Sequence, residues 1–233
     1  MRHRSHPDLC LSANELGHSS FGFHPVVDHS SPADTRRLIF SFGDRTVMEW
    51  ICAFCGSNDT GNSPYTAALA VFAEECAERD IGLVYGGGRG GTMGELADAV
   101  LAGGGEVIGV LPKSLREREE PHDGLTELII TETKAERKDR MVELADGFIA
   151  FPGGIGTHEE LFDVLGRAKH GFHHKPCGLL NVDGYYDNLV THFDHAAREG
   201  FFSEAQRELA LVESDPAALL DAFETYESPI SGK

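Results

Sequence analysis

Residues 147–169 read GFIAFPGGIGTHEELFDVLGRAK, and this stretch shows the structural unit from which the chain is built. It begins with a short apolar run, GFIAFP, that is typical of a strand buried on both faces. A proline and three glycines follow, and they predict a turn. The pattern is then helical, because Leu161, Leu165 and Ala168 fall on one face. The stretch therefore predicts a strand, a turn and a helix, in that order.

The same unit recurs along residues 47–233. Seven apolar runs are candidate strands: VMEWICAF, IGLVYG, EVIGVLP, TELIIT, GFIAFP, CGLLNV and ELALVES. Helical patterns lie between or after them, at Pro64–Arg79, Met93–Ala102, Ala135–Ala145, His158–Lys169, Tyr185–Arg198 and Pro216–Tyr226. Apolar strands that alternate with helices are typical of a parallel sheet covered on both faces. The sequence predicts an α/β fold: a single doubly wound, Rossmann-like domain with a parallel sheet of about seven strands.

Residues 1–46 have a different composition from the rest of the chain. They are rich in His, Ser, Pro and Arg, they lack hydrophobic periodicity, and they carry equal numbers of arginines and acids. A segment of this kind buries too little apolar surface to fold alone. We expect a disordered N-terminal extension at 1–46 and a folded domain at 47–233.

The charge and the cysteine content exclude several classes of protein. With 20 basic and 38 acidic side chains, the chain has a formal net charge of −18 at pH 7, which argues against general nucleic-acid binding. No apolar run approaches the length of a membrane span. Five cysteines, an odd number, favour reduced thiols in a cytoplasmic protein over a disulfide framework. Cys52 and Cys55 form a CxxC, but no second pair stands at zinc spacing, so no metal site is expected.

Three turns with unusual chemistry follow predicted strands, and the carboxyl ends of parallel strands are where ligands bind. They are CGSNDTG, GGGRGGTMG and PGGIGTHEE. The second contains G-x-G-x-x-G at Gly86, Gly88 and Gly91. However, a dinucleotide fingerprint follows the first strand, with an acid at the end of the next, whereas Glu106 begins the third strand. The turn therefore predicts close backbone approach to a ligand and not NAD binding.

In PGGIGTHEE, the glycines permit positive φ angles and expose backbone N–H groups, and Thr157 stands where the helix is predicted to begin. Free N–H groups at a helix N-terminus form an anion site, most naturally for a phosphate. The local pattern leaves two interpretations of Glu160 open. Residues 157–160 have the form of a capping box, so Glu160 is either a helix cap or a catalytic carboxylate.

A basic cluster, KAERKDRM, spans Lys134 to Met141. On a helix, Arg137 and Met141 share a face, and Lys138 lies about 100° round from Arg137. One interpretation is a solvated face that makes ion pairs with nearby acids. The other is a contribution to the site, because this helix leads into the strand that ends at PGGIGT.

These segments together resemble one known family. VYGGGRGGTMG, RKDRM and FPGGIGTHEE, in this order after CAFCGS, are similar to the Lonely Guy (LOG) family of cytokinin riboside 5′-monophosphate phosphoribohydrolases. The resemblance runs from about Ile51 to Glu224. It implies hydrolysis of the N-glycosidic bond of a nucleoside 5′-monophosphate, a cytokinin riboside monophosphate or AMP, to free base and ribose 5-phosphate. It implies no metal and no cofactor, a small-molecule nucleotide as substrate, and a homodimer.

The resemblance also implies the residues of the site. The Arg of RKxxM and the last Glu of PGGxGTxxE form the catalytic pair, here Arg137 and Glu160. This pairing favours the catalytic interpretation of Glu160, although Thr157 can still cap the helix. The acid Glu119 is placed by matching ERE in LREREEP to the family's PRE, with Glu117 and Glu120 as alternatives. The implied substrate-binding residues are Glu119, Arg137, Lys138, Gly153, Gly154, Ile155, Gly156, Thr157, His158 and Glu159.

Two departures from the family pattern leave the preference for the base open. The usual GLMG has Thr92 at its second position, and Gly166 and Arg167 replace a common threonine and an aromatic residue. The alternative function is a non-catalytic nucleotide-binding or molybdenum-cofactor carrier-like protein on the same fold, which has no need of Arg137 together with Glu160. A lysine decarboxylase is disfavoured, because no lysine stands in a recognisable pyridoxal phosphate setting.

Overall fold

The computed structural model describes residues 48–59, 61, 63–116 and 119–230. The predicted extension at 1–46 lies outside the described residues. Seven strands form one sheet in the order β4-β3-β2-β1-β5-β6-β7, and each pair of neighbours is parallel. Their bounds are β1 Trp50–Phe54, β2 Gly82–Tyr85, β3 Val107–Pro112, β4 Glu127–Thr131, β5 Gly147–Ala150, β6 Cys177–Leu180 and β7 Ala210–Glu213. The predicted fold class is confirmed.

Helices connect the strands as the periodicity predicts. They are α1 Ser63–Arg79, α2 Gly91–Ala102, α3 Lys134–Leu144, α4 Ile155–Lys169, α5 Asp187–Arg198, α6 Glu204–Arg207 and α7 Pro216–Glu224. Four helices begin earlier than predicted: α1 and α3 by one residue, α2 by two and α4 by three, since glycines in the first turns of α2 and α4 hide the periodicity; α5 begins two residues later, at Asp187. The short α6 was not predicted. It is held by a capping box between Ser203 and Gln206.

The order of the strands explains where a ligand can bind at the end of the sheet. From β1 the chain moves outward through β2, β3 and β4, then returns to the other side of β1 to form β5. The connections after β1 and β5 therefore diverge, and they leave a crevice at the carboxyl ends of these two strands. PGGIGT lies directly at this point, because it follows β5.

Both faces of the sheet are buried, as the continuous apolar strands predict. Ile51 and Ala53 pack on one side, with α1, α2 and α7, whereas Cys52 and Phe54 pack on the other side. At the amino ends of the strands, the Asp146 carboxylate accepts hydrogen bonds from two backbone N–H groups at the start of β1. Within the described part of the chain, every helix is too short or too polar to cross a bilayer.

Candidate active site

A cavity of about 440 Å³ lies at the carboxyl ends of the central strands. The turns after β1 and β5, the start of α2, the segment after β3 and one face of α3 form its walls. Most of the residues predicted for the site line this cavity: Glu119, Arg137, Lys138, Gly153, Gly154, Ile155, Gly156, Thr157, Glu159 and Glu160. The fold thus brings together residues that are up to 41 positions apart in the sequence.

Arg137 and Glu160 form an ion pair across the floor of the cavity. The Arg137 Nη2–Glu160 Oε1 distance is 2.5 Å, and the two side chains are only 11% and 10% exposed. Arg137 Nε is buried and has no hydrogen-bond partner among the described residues. The pair joins α3 to α4, and Met141 on the same face of α3 is buried in the core. Arg137 therefore lines the cavity while its Nε stays buried without a partner among the described residues.

Burial raises the pKa of the Glu160 carboxyl above the ordinary range of a glutamate, while the Arg137 guanidinium lowers it. The carboxylates of Glu159 and Glu119 act in the same direction as burial. A carboxyl group in this setting changes protonation state closer to neutral pH than an exposed glutamate does, which is common for catalytic acids.

The predicted capping of α4 by Thr157 is wrong. The helix begins at Ile155 with Gly154 in the N-cap position, so Thr157 lies inside the first turn. Thr157 is 2% exposed, and its buried Oγ1 has no hydrogen-bond partner among the described residues. Glu160 reaches Arg137 and not the backbone of Thr157. The cap interpretation failed because glycine lets the helix start before the first side chain that resembles a cap.

The glycines of the turn matter because they lack a side chain, and not because they adopt an unusual backbone conformation. The glycines of this turn permit positive φ angles but do not adopt them, since the positive-φ glycines of the described chain all lie elsewhere. At Gly153, a Cβ would stand 2.2 Å from Thr157 Oγ1, so only glycine fits. At Gly154 and Gly156, a Cβ would meet nothing within 4 Å and would project into open space. The backbone at the N-terminus of α4 is therefore accessible to a ligand.

The first turn of α4 has the features of an anion site. Its N–H groups have no intrahelical partners, and the helix dipole adds partial positive charge at the same place. The Thr157 hydroxyl belongs to the same turn, where it is buried against Gly153 and has no partner among the described residues. Tyr185, which also lines the cavity, donates its hydroxyl to the Gly153 carbonyl oxygen. This contact holds the turn in place before any ligand arrives.

Lys138 contacts two carboxylates on α4. Its Nζ lies 2.6 Å from Glu159 Oε1 and 3.0 Å from Asp163 Oδ1. The hydrogen bond to Glu159 is the largest of the effects that raise the pKa of Lys138. The basic cluster on α3 is thus not merely a solvated face, because Arg137 and Lys138 both contact α4 beside the cavity.

Two further predicted positions differ in where they lie. Glu119 lines the cavity, whereas Glu117, its alternative, lies outside the described residues. His158 is not among the described residues that line the cavity. Its Nδ1 lies 2.7 Å from the Gly154 carbonyl oxygen, and its ring packs edge-on against Tyr186. The structure therefore does not bring the His158 side chain to the cavity, because the turn of α4 directs it outward.

Sequence reasoning missed the cavity residues Tyr65, Leu115 and Tyr185, whereas Asn58 and Lys134 lie in segments singled out above, the CGSNDTG turn and the basic cluster. Tyr185 had a usable signal, since it closely follows the carboxyl end of β6. Thr92 was noted only as a departure from a family pattern. Its Oγ1 accepts the Gly56 N–H and donates to the Gly56 carbonyl oxygen, both at 3.0 Å. This residue joins α2 to the turn after β1.

Among the described residues, Cys52, Cys55 and His173 are buried in the protein interior. Cys52 and Cys55 are buried free thiols, and burial raises the pKa of both. His173 is buried, with Nε2 3.0 Å from the Val164 carbonyl oxygen, and its pKa is lowered by burial. Across the described residues, no group of three or more His, Cys, Asp or Glu side chains could hold a metal ion.

Comparison with known proteins identifies relatives of this chain. The model of the family described as "Possible lysine decarboxylase" matches residues 93–223. Cytokinin riboside 5′-monophosphate phosphoribohydrolase LOG2 of Arabidopsis thaliana is 45% identical over 176 residues, which cover 76% of this chain and 83% of that protein. The probable cytokinin riboside 5′-monophosphate phosphoribohydrolase LOG4 of Oryza sativa is 42% identical, over 77% of this chain and 78% of that protein.

Solved structures show the same fold at lower identity. The molybdenum cofactor carrier protein of Chlamydomonas reinhardtii aligns with a TM-score of 0.55 and 21% identity, over 75% of this chain and 94% of that chain. This likeness concerns architecture alone. The sequence matches are much stronger, and the family model covers the segments that hold Arg137 and Glu160. The chain therefore belongs, together with the plant cytokinin riboside 5′-monophosphate phosphoribohydrolases, to the possible lysine decarboxylase family.

Proposed function

We propose that the protein hydrolyses the N-glycosidic bond of nucleoside 5′-monophosphates, releasing the free base and ribose 5-phosphate. One observation carries the proposal: a buried Arg137–Glu160 pair lies in the same cavity as an accessible helix N-terminus. A binding protein needs the anion site, but it has no need of a carboxylate with a raised pKa beside it. The names of the plant relatives support the same activity.

In the proposed mechanism, the phosphate positions the bond that is cut. The N–H groups of α4 and the Thr157 hydroxyl bind the 5′-phosphate, which fixes the ribose over Glu160. As the C1′–N bond breaks, its electron pair moves to the base and positive charge develops on the ribosyl group. The Glu160 carboxylate stabilises this charge or orients the attacking water.

Water is the only reactant that the reaction needs besides the nucleotide. The water oxygen bonds to C1′, one of its protons is transferred to the leaving base nitrogen, and the other remains on the new hydroxyl. Arg137 favours the ionised form of Glu160, and its guanidinium, in the wall of the cavity, donates toward the ribose or the leaving base. Glu119 and Lys138 complete the wall as substrate contacts.

The decisive experiment is incubation of the protein with AMP and with isopentenyladenosine 5′-monophosphate, followed by chromatography for free base. We expect base and ribose 5-phosphate to appear in equal amounts from at least one nucleotide. If the protein binds AMP by calorimetry and releases neither base, the activity is wrong and a nucleotide carrier is the better interpretation. Comparing kcat/KM for the two nucleotides then identifies the preferred base.

The pH dependence of kcat provides a second prediction. Glu160 acts in its ionised form, and its pKa is raised, so acidification should remove activity at a pH above the ordinary glutamate range. Glu159→Gln removes a neighbouring carboxylate that raises the pKa of Glu160, and it should move the acid limb to lower pH. Glu143→Gln, at an exposed acid on α3, serves as the control and should leave the limb unchanged. An acid limb that does not respond to Glu159→Gln would contradict the assignment to Glu160.

We also propose a cytoplasmic homodimer. The four described cysteines are free thiols, which agrees with a reducing compartment. Ile155 at the cavity mouth is 88% exposed, and an apolar side chain in that position suits coverage by a second subunit. Light scattering that gave the 25.3 kDa mass of a single chain would contradict the dimer.

A further inference from the structure

Arg167 lies on α4, three turns from the N-terminus of the helix, and it is not one of the residues that line the cavity. Its guanidinium contacts two carboxylates on two different helices. Arg167 Nε lies 2.7 Å from Asp163 Oδ2 on α4, and Nη2 lies 2.7 Å from Asp139 Oδ1 on α3. The side chain is 26% exposed, so part of this contact is removed from solvent.

Asp163 lies between two cations and contacts each with a different oxygen. Its Oδ2 contacts Arg167, and its Oδ1 contacts Lys138 Nζ at 3.0 Å. Lys138 lines the cavity and also contacts Glu159. A chain of charges thus runs from Asp139 through Arg167, Asp163 and Lys138 to Glu159. Lys138 therefore has two acidic neighbours, Glu159 and Asp163, and Asp163 also contacts Arg167.

We propose that Arg167 is a positioning residue that partly neutralises Asp163 and so weakens the competition of Asp163 with the anionic group of the substrate for Lys138. The proposal rests on the proposed function, because it assumes that the cavity binds a phosphorylated ribose. With Arg167 present, the five charged groups of the chain carry a net charge of −1, and without it they carry −2. Negative charge at this place opposes the binding of a phosphate.

A purely structural role for Arg167 makes a different prediction. In that interpretation the residue only joins α3 to α4, and any variant that breaks the link should lower stability without a specific effect on anion binding. The two roles can be separated because Arg167 has two partners. Asp139 belongs only to the link between helices, whereas Asp163 also contacts Lys138.

The test measures the Kd of ribose 5-phosphate by calorimetry at low ionic strength in five variants: Arg167→Gln, Asp139→Asn, Arg167→Lys, Asp163→Asn and the double variant Arg167→Gln with Asp163→Asn. Arg167→Gln should weaken binding roughly three- to tenfold, the effect of one charge at a partly exposed position. Asp139→Asn removes the contact of Arg167 with α3 but leaves Arg167 on Asp163, and it removes a negative charge, so Kd should not rise above that of wild type. Arg167→Lys keeps a cation beside Asp163 and should retain most of the affinity. Neutral ribose is the control ligand, and Arg167→Gln should not affect its binding.

The double variant Arg167→Gln with Asp163→Asn completes a thermodynamic cycle. Once Asp163 is neutral, loss of Arg167 should have no further effect on Kd. Equal Kd values for Arg167→Gln and Asp139→Asn would overturn the proposal, and so would an undiminished effect of Arg167→Gln in the Asp163→Asn background. Wild-type protein that does not bind ribose 5-phosphate would overturn it as well. Failure of the proposed function is recognised separately, by the lack of base release from nucleotides.

Discussion

Replacement of Glu160 by glutamine is expected to lower kcat for nucleotide hydrolysis by about a thousandfold or more while AMP still binds. Glutamine has nearly the same shape, and its carbonyl oxygen can still accept from Arg137. The variant cannot supply the negative charge that stabilises the ribosyl cation, and such charge stabilisation is commonly the largest part of catalysis. Base release gives kcat, and calorimetry gives the Kd of AMP.

This variant also leaves the buried Arg137 without a counter-ion, which lowers stability by about 3–5 kcal/mol in comparable cases. Thermal unfolding should therefore accompany the kinetics, and activity should be measured well below the Tm. Glu159→Gln changes the adjacent, 56% exposed carboxylate and should reduce kcat far less. If Glu160→Gln kept full activity, Glu160 would have only a structural role as the partner of Arg137.

Removal of the 5′-phosphate from the substrate is expected to lower kcat/KM by at least about a thousandfold, with adenosine compared to AMP. The phosphate is remote from the bond that breaks, but its contacts with α4 position the ribose over Glu160. Binding energy of this kind is used to reach the transition state, so its loss reduces turnover as well as affinity. The measurement is adenine release from both compounds at subsaturating concentrations.

Thr157→Val tests the same phosphate contact from the side of the protein. The Thr157 hydroxyl has no partner among the described residues, so valine should fold with unchanged stability. A hydrogen bond to a charged phosphate contributes about 1.5–3 kcal/mol, so kcat/KM for AMP should fall about tenfold to a hundredfold. Hydrolysis of adenosine should be unaffected. Similar rates for AMP and adenosine in the wild-type protein would exclude the anion site at α4.

All seven strands could be predicted because each is a short apolar run, and the five inner strands are buried almost throughout, whereas the edge strands β4 and β7 are partly exposed. The position of the cavity followed from the same pattern, since ligands bind at the carboxyl ends of parallel strands. The structure places Arg137 and Glu160 in contact, as the family resemblance implied. Their roles in catalysis remain predictions for the variants above.

The rest depended on contacts that local pattern does not reveal. The motif at Thr157 and Glu160 resembles a capping box, and only the tertiary contact with Arg137 shows that it is not one. The glycines suggested unusual φ angles. The structure shows instead that Gly153 is required because Thr157 lies too close to leave room for a side chain. The position of Arg167 between two acids arises from the packing of α3 against α4, which periodicity alone does not specify.

The place of β1 at the centre of the sheet has a consequence for synthesis of the chain. On one side β1 pairs with β2, which follows it closely, but its other edge pairs with β5. The Asp146 carboxylate that binds the start of β1 lies 97 residues after Glu49. A nascent chain that ends before β5 therefore exposes an unpaired apolar edge, which is a template for aggregation. The cavity is completed at the same stage of synthesis. The α4 turn and Glu160 emerge from the ribosome directly after β5, the strand that covers this edge.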